Sequence, residues 1–185
     1  MGQSLQQYIS YSDYKILMLG LDGVGKTQLL YRLKTKKQIV PNPTTGFNVE
    51  ILQLKHKRPI TIWDIGGQEQ KRDLWVHYLQ NTQLVMYIID STDQDPERIQ
   101  QSQNELEKLL NYEQLANIPF VILFNKTDLP QAMSNKEIQD IFQISIDLKQ
   151  IITSHKILAI KTTAISNKSV KQILKLLERV IIGNK

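Results

Sequence analysis

Residues 20–27 read GLDGVGKT and match the spacing G-x-x-x-x-G-K-[ST], with an apolar run before them and a helical pattern after. The spacing has a chemical meaning in that setting. A glycine-rich turn exposes successive backbone N–H groups, and the following helix adds the positive end of its dipole. Gly20, Asp22, Gly23, Val24 and Gly25 can then cradle an anion between them. Lys26 is placed to reach the outer phosphates of a nucleotide, and the Thr27 hydroxyl to ligate Mg²⁺. Chance produces this pattern in roughly one chain of this length in 200.

A phosphate cradle does not choose a base, but residues 125–128 (NKTD) do. They follow the apolar run 120–124, at a strand's carboxyl end, where open α/β sheets bind ligands. The Asp128 carboxylate can accept from guanine N1–H and the exocyclic amine, a donor pair that adenine lacks. Asn125 stands beside it, and the Lys126 stem can cover the purine face. Residues 63–69 (WDIGGQE) supply a third group. Asp64 can hold Mg²⁺ through water, the Gly67 N–H can approach a γ-phosphate closely, and Gln68 can orient an attacking water. Upstream, Thr44 offers a second hydroxyl to the metal, with Thr45 the weaker alternative.

The elements that must hold these residues follow from periodicity. Strands are expected at 14–19, 47–54, 60–63, 84–89, 120–124 and 157–161, and helices at 26–33, 73–79, 96–110, 135–142 and 169–182. The runs 84–89 (LVMYII) and 120–124 (FVILF) are apolar at every position, as strands covered on both faces are. Asp95 and Asn135 look like helix starts. Strand–helix alternation implies a doubly wound α/β sheet. Only residues 55–59 separate two of the strands, so they form a hairpin, and the sheet is mixed: six strands, one antiparallel. The 185 residues make one domain, 13–185, behind an extension, 1–12.

Composition excludes other classes. Hydrophobic residues are 41%, charged residues 22%, and no apolar run approaches the length of a membrane span. Cysteine is absent, which removes disulfides, thiolate chemistry and zinc–cysteine sites. With no leader pattern, an intracellular, cytoplasmic protein is expected. The net charge of +5 gathers in lysine clusters around residues 34–37 and 55–58, but no nucleic-acid-binding motif accompanies them. His56, His77 and His155 suggest no metal site.

GLDGVGKT, PTTGFNVE, WDIGGQE, LWVHY, DSTD and NKTDLP occur in an order that resembles the Arf/Arl family of small GTPases across nearly the whole chain. The GLDxxGKT form and GFNVE are specific to that family. The resemblance implies a P-loop NTPase fold of the Ras-like kind, binding GTP and GDP with Mg²⁺, slow hydrolysis without an activating protein, and a GDP/GTP switch whose interswitch hairpin slides. It further implies that Phe47, Trp63 and Tyr78 face effectors, although their spacing alone fits ordinary core equally well. It makes Ala164 the residue whose N–H meets the guanine oxygen. Departures are Thr45 in place of an apolar residue, an interswitch turn about one residue longer, and Ile165 in place of a small polar residue.

Partners implied by the resemblance are an exchange factor, an activating protein, GTP-dependent effectors and a peripheral membrane contact at Golgi, endosomal or vesicle membranes. Gly2 invites N-myristoylation, although Gln6 stands where Ser or Thr is preferred, and Leu5, Tyr8 and Ile9 form a short apolar stripe. The expected function is a hydrolysing switch in membrane traffic. The alternative is a GTP-dependent scaffold that scarcely turns over, which the acidic Asp22 beside the phosphates would favour. A P-loop kinase or ATPase is disfavoured by NKTD.

Overall fold

The computed structural model describes residues 14–54, 59–143, 149–152 and 155–183. Its strands are β1 (Lys15–Leu19), β2 (Phe47–Leu52), β3 (Ile60–Ile65), β4 (Leu84–Asp90), β5 (Phe120–Asn125), β6 (Lys149–Ile152) and β7 (His155–Lys161). The α-helices are α1 (Lys26–Thr35), α2 (Pro96–Leu110), α3 (Asn135–Phe142) and α4 (Asn167–Gly183). The strands form one sheet in the order β2-β3-β1-β4-β5-β7-β6. The central pairs are parallel, and β2 runs antiparallel to β3 with Phe47 opposite Ile65 and Leu52 opposite Ile60.

All six expected strands are present, and the sheet is doubly wound and mixed. It has one strand more than the sequence suggests. β6 adds a second antiparallel pair at the far edge, from Lys149 opposite Leu158 to Ile152 opposite His155. Four residues are too few to show a period, which is why the pattern hides it. The expected helix at 73–79 is instead a 3-10 stretch, Glu69–Tyr78. Two side chains draw it back onto the preceding strand end: Trp75 Nε1 donates to Gly66 O at 3.0 Å and Arg72 Nε to Gly67 O at 2.9 Å. Such runs are seldom this long, and these anchors account for it.

Helix starts differ at one point. Asp95 caps α2, accepting from Glu97 N at 3.0 Å. For α3 the cap is Ser134, not Asn135, in a reciprocal box with Glu137: Glu137 N donates to Ser134 Oγ at 3.2 Å and Ser134 N to Glu137 Oε2 at 2.7 Å.

The apolar runs are uninterrupted because both faces of the sheet are covered. Ile16, Met18, Met86, Ile88 and Leu123 point to the side of α1 and α4, where they meet Leu29, Leu30, Ile173 and Leu177. Leu17, Leu19, Tyr87, Ile122 and Phe124 point to the other side, against Trp75, Leu106, Leu109 and Ile138. β1 lies between β3 and β4, so the chain turns one way after α1 and the other way after β3. That reversal opens a crevice beyond the carboxyl end of β1, the usual ligand position in such sheets.

Candidate functional site

The 20–25 turn occupies that crevice. Gly25 begins α1 with φ of 92°, and a Cβ there would stand 2.6 Å from Asn125 Nδ2. Only glycine lets the helix N-terminus approach the end of β5 so closely. Lys26 is buried, and its Nζ donates to Gly20 O at 2.9 Å and Leu21 O at 2.6 Å. Burial lowers its pKa to about 8, against the opposing pull of Asp64 and Asp22. A bound polyphosphate would supply the missing countercharge. The cleft in front of it measures about 520 Å³ and is lined by Gly23, Lys26, Thr27, Thr44, Gln68 and Lys126 among others. Its size suits a nucleotide.

Three oxygens from distant parts of the chain meet beside this cradle. Thr27 Oγ1 lies 2.7 Å from Thr44 Oγ1 and donates to Asp64 Oδ2 at 2.6 Å. Thr45, the weaker alternative, is exposed, and its carbonyl accepts from Lys71. Asp64 is fully buried, and its Oδ1 has no hydrogen-bond partner among the described residues. A buried carboxylate with an unused oxygen beside two hydroxyls is a hard-oxygen donor set suited to Mg²⁺.

Asn48 completes this arrangement, and the sequence reading assigned it no role. Its Nδ2 donates to Asp64 Oδ2 at 3.1 Å and to Thr44 Oγ1 at 3.3 Å, fixing both. Loss of such a supporting bond costs about 10–100-fold in metal affinity. Asn48→Ala is therefore expected to release GTP faster and to need roughly that much more Mg²⁺ to retain it. Nucleotide release measured across a Mg²⁺ titration reads this directly, and an unshifted midpoint would remove Asn48 from the site.

The Asp64–Gln68 segment closes over the phosphate turn. Asp22 N donates to Gly67 O at 3.1 Å, and a Cβ on Gly67 would lie 2.3 Å from Gly20 O. Two arginines hold this contact, and neither was expected from spacing. Arg72 bonds Gly67 O, reaches Gln101 Oε1 at 3.2 Å, and lies 3.5 Å from Asp22 Oδ1. Arg98 donates to Asp22 O at 3.0 Å and to Asp93 Oδ2 at 3.0 Å, and lies 3.6 Å from Asp22 Oδ1. Gln68 is half-buried at the cleft wall.

At the base end, Asn125 is buried and its Nδ2 donates to Val24 O at 2.8 Å, joining the NKTD turn to the phosphate turn. Lys126 has φ of 63° and pairs with Asp90 Oδ2 at 2.5 Å, which gives the DSTD aspartate a place the sequence did not reveal. Thr127 is tied to Thr162 O through its N–H at 3.1 Å and its hydroxyl at 2.8 Å. Asp128 is left exposed beside them, and Ala164 is buried in the adjoining loop. The structure thus brings Asp22, Gly23, Gly25, Lys26, Thr27, Thr44, Gly67, Gln68 and Lys126 to the lining of one cleft, with Asp64 bonded to Thr27 and Asn125 to Val24 beside it. Gly2 lies outside the described residues.

Comparison with known proteins agrees with this geometry. The profile of the ADP-ribosylation factor family matches residues 1–181. The chain belongs to that family. It is a GTP-binding regulatory protein of the small GTPase class, a GTP hydrolase. Among relatives, mouse (Mus musculus) ADP-ribosylation factor-like protein 14 is 44% identical over 129 residues, which cover 70% of this chain and 67% of that protein. Among solved structures, the Arl6 BBS3 small GTPase from Trypanosoma brucei, with the bound nucleotide analogue GppNp, superimposes with a TM-score of 0.75 at 25% identity, over 90% of this chain and 95% of that one.

In this Arf-family chain the three aromatics stand together. Phe47 and Trp63 stack with centroids 5.5 Å apart, and Tyr78 lies 5.6 Å from Phe47 and 6.3 Å from Trp63. Phe47 is 49% exposed, and Trp63 and Tyr78 are half-buried, so the cluster is a surface patch resting on the core. Lys15 props it from below: its Nζ sits 5.2 Å from the Trp63 ring and donates to Tyr78 O at 2.6 Å.

Proposed function

We propose that this chain is a GDP/GTP switch that recruits effectors through the Phe47–Trp63–Tyr78 patch and acts on intracellular membranes. One observation carries the reading: two of the three patch aromatics lie on the β2–β3 hairpin, and the residues expected to sense the phosphate flank it. Thr44 precedes β2 by three residues, Gly67 follows β3 by two, and Gly66 N donates to Gly46 O at 2.8 Å, locking the two ends together. A change at the γ-phosphate would thus be transmitted to two of the three aromatics through continuous backbone.

Residues divide the chemistry as follows. Lys26 and the amides of Gly23, Val24 and Gly25 bind the phosphates, while Asp22 N already donates to Gly67 O. Thr27 and Thr44 would hold Mg²⁺ directly, and Asp64 through water; the ion neutralises charge on the β- and γ-oxygens when bound. Gln68 orients the attacking water. Residues 36–46 contain no arginine, so an activating protein would supply one, and unassisted turnover is slow. Asp22 carries its charge beside the phosphates, but Arg72 and Arg98 offset it, which favours turnover over the scaffold reading.

Membrane contact rests on the sequence of the extension. A single myristoyl chain at Gly2 binds only marginally, with K about 10⁴ M⁻¹, so the Leu5, Tyr8 and Ile9 stripe would have to join it. GTP loading would expel that stripe from a groove that the hairpin closes. Intact mass of the protein from its native cells is expected to show the acyl group. Acylated, GTP-loaded protein is expected to float with liposomes and the GDP form to stay behind; equal flotation overturns the membrane switch. GTP-loaded Phe47→Ala is expected to lose the proteins that the GTP-loaded native chain retains, and unchanged retention would remove the patch from effector binding.

A further inference from the structure

Arg32 is a buried guanidinium outside the phosphate and metal groups. It lies in the last turns of α1, 9% exposed, and reaches two other parts of the chain. One terminal nitrogen donates to Lys36 O. The other donates to Asn167 Oδ1 at 2.8 Å and to Ile165 O at 3.3 Å. Lys36 is the left-handed residue, φ 59°, that ends α1 and opens the segment leading to Thr44. Ile165 follows Ala164 in the base loop, and Asn167 begins α4.

Burying a guanidinium is costly, and apolar side chains often replace buried ions without loss of stability. Packing alone therefore does not explain a cation here. Lys36, Ile165 and Asn167 are all exposed, so their oxygens could turn to water if Arg32 were gone. What Arg32 adds is a polar tie between parts that otherwise meet through apolar packing: Ala164 is buried in the cluster that holds Leu29 and Leu30, and Thr163 N donates to Ser169 Oγ at 3.2 Å. Inside the loop, Ile165 N donates to Thr163 Oγ1 at 3.3 Å and Ser166 N to Thr163 O at 3.4 Å. Those bonds shape the turn without fixing it to α1. One planar group reaching three acceptors does fix it, and lysine cannot copy that geometry.

We propose that Arg32 is a positioning residue: it clamps the 163–166 loop to the phosphate-binding helix and so sets how long guanine nucleotide stays bound. The proposal rests on the reading that the Ala164 N–H meets the guanine oxygen. A loop that drifts loses this contact first, and the nucleotide leaves from the base end while the phosphates are still held.

The test uses the full chain with Mg²⁺ in excess and follows release of GDP and of 6-thio-GDP, whose sulfur is a weak acceptor where guanine has oxygen. The native chain is expected to release 6-thio-GDP faster than GDP; equal rates overturn the base-loop reading and this proposal with it. Arg32→Met is expected to release GDP about tenfold faster and 6-thio-GDP less than twofold faster. The added acceleration on chelating Mg²⁺ should match the native chain's, because the phosphate end is untouched. Arg32→Lys should resemble Arg32→Met. Asn167→Ala, which removes one exposed acceptor, should give about threefold and carries the test if Arg32→Met fails to fold. GDP release within twofold of native in every variant that folds overturns the clamp while leaving the loop reading intact. Equal acceleration of both nucleotides also overturns it, since that marks general loosening.

Discussion

Gln68→Leu is expected to bind GTP as the native chain does and to lose stimulated hydrolysis by about 10²–10³-fold, the usual cost of removing one oriented hydrogen-bonding group from a reaction centre. The geometry limits the damage to chemistry. Gln68 is the extended residue that precedes the 3-10 stretch, φ −60° and ψ 136°, and its carbonyl accepts from Lys71 N at 2.9 Å. Those backbone features survive the substitution. Gly67, next to it, is held by Arg72 and Asp22 N whatever side chain follows. Leucine fills similar space on the cleft wall but cannot direct a water. Binding should therefore persist, and single-turnover phosphate release, with and without an activating protein, separates the two effects. If the variant matched the native chain's assisted rate, Gln68 would have no part in hydrolysis.

This contrast between backbone and side chain also explains how far the sequence could be read. The 20–27 turn, the NKTD turn and the WDIGGQE turn are local: spacing specifies glycines, a helix start and the residue types that face a ligand. β4 and β5 declare themselves because both of their faces are covered. Long-range ties leave no such mark. Arg72 bonds a glycine carbonyl five residues back, yet it also meets Asp22 and Gln101. Arg32 and Asn167 are separated by 135 residues. Lys126 finds Asp90 across the end of the sheet. Each of these residues is an ordinary surface type in the sequence, and only the closing of the sheet decides which of them become buried connectors. Asn48 is intermediate, since it lies inside a recognisable motif and bonds Thr44 of that same motif, but it also acts through Asp64 from another segment. The short edge strand β6 and the 3-10 stretch escape for a related reason: a neighbouring strand supports one and two side-chain anchors the other, rather than their own periodicity.

Asp128→Asn is expected to invert base preference, from guanine to xanthine. Every neighbour of Asp128 is tied down: Asn125 to Val24, Lys126 to Asp90, Thr127 to Thr162, and Leu129 N to Lys126 O at 3.1 Å. Among the described residues none donates to the Asp128 carboxylate, so a fixed turn offers an exposed acceptor pair to a ligand. Guanine presents N1–H and an exocyclic amine to such a pair. Replacing one carboxylate oxygen by an amide NH₂ sets donor against donor and removes the charge. Hydrogen bonds to a charged group are each worth about 1.5–3 kcal/mol; one is lost and the other falls to a weaker neutral bond, so guanine nucleotides weaken by roughly 10–10³-fold. Xanthine carries a 2-oxo group where guanine carries the amine, and that oxygen accepts from the new amide. Because the substitution leaves the 20–27 turn and Thr27, Thr44 and Asp64 unaltered, Mg²⁺-dependent retention of the phosphates should persist in whichever nucleotide binds. Competition between GDP and XDP on native and variant chains measures the inversion, with ATP against GTP on the native chain as the reference for base discrimination. An unchanged GDP-to-XDP ratio in the variant would place the base somewhere other than the NKTD turn.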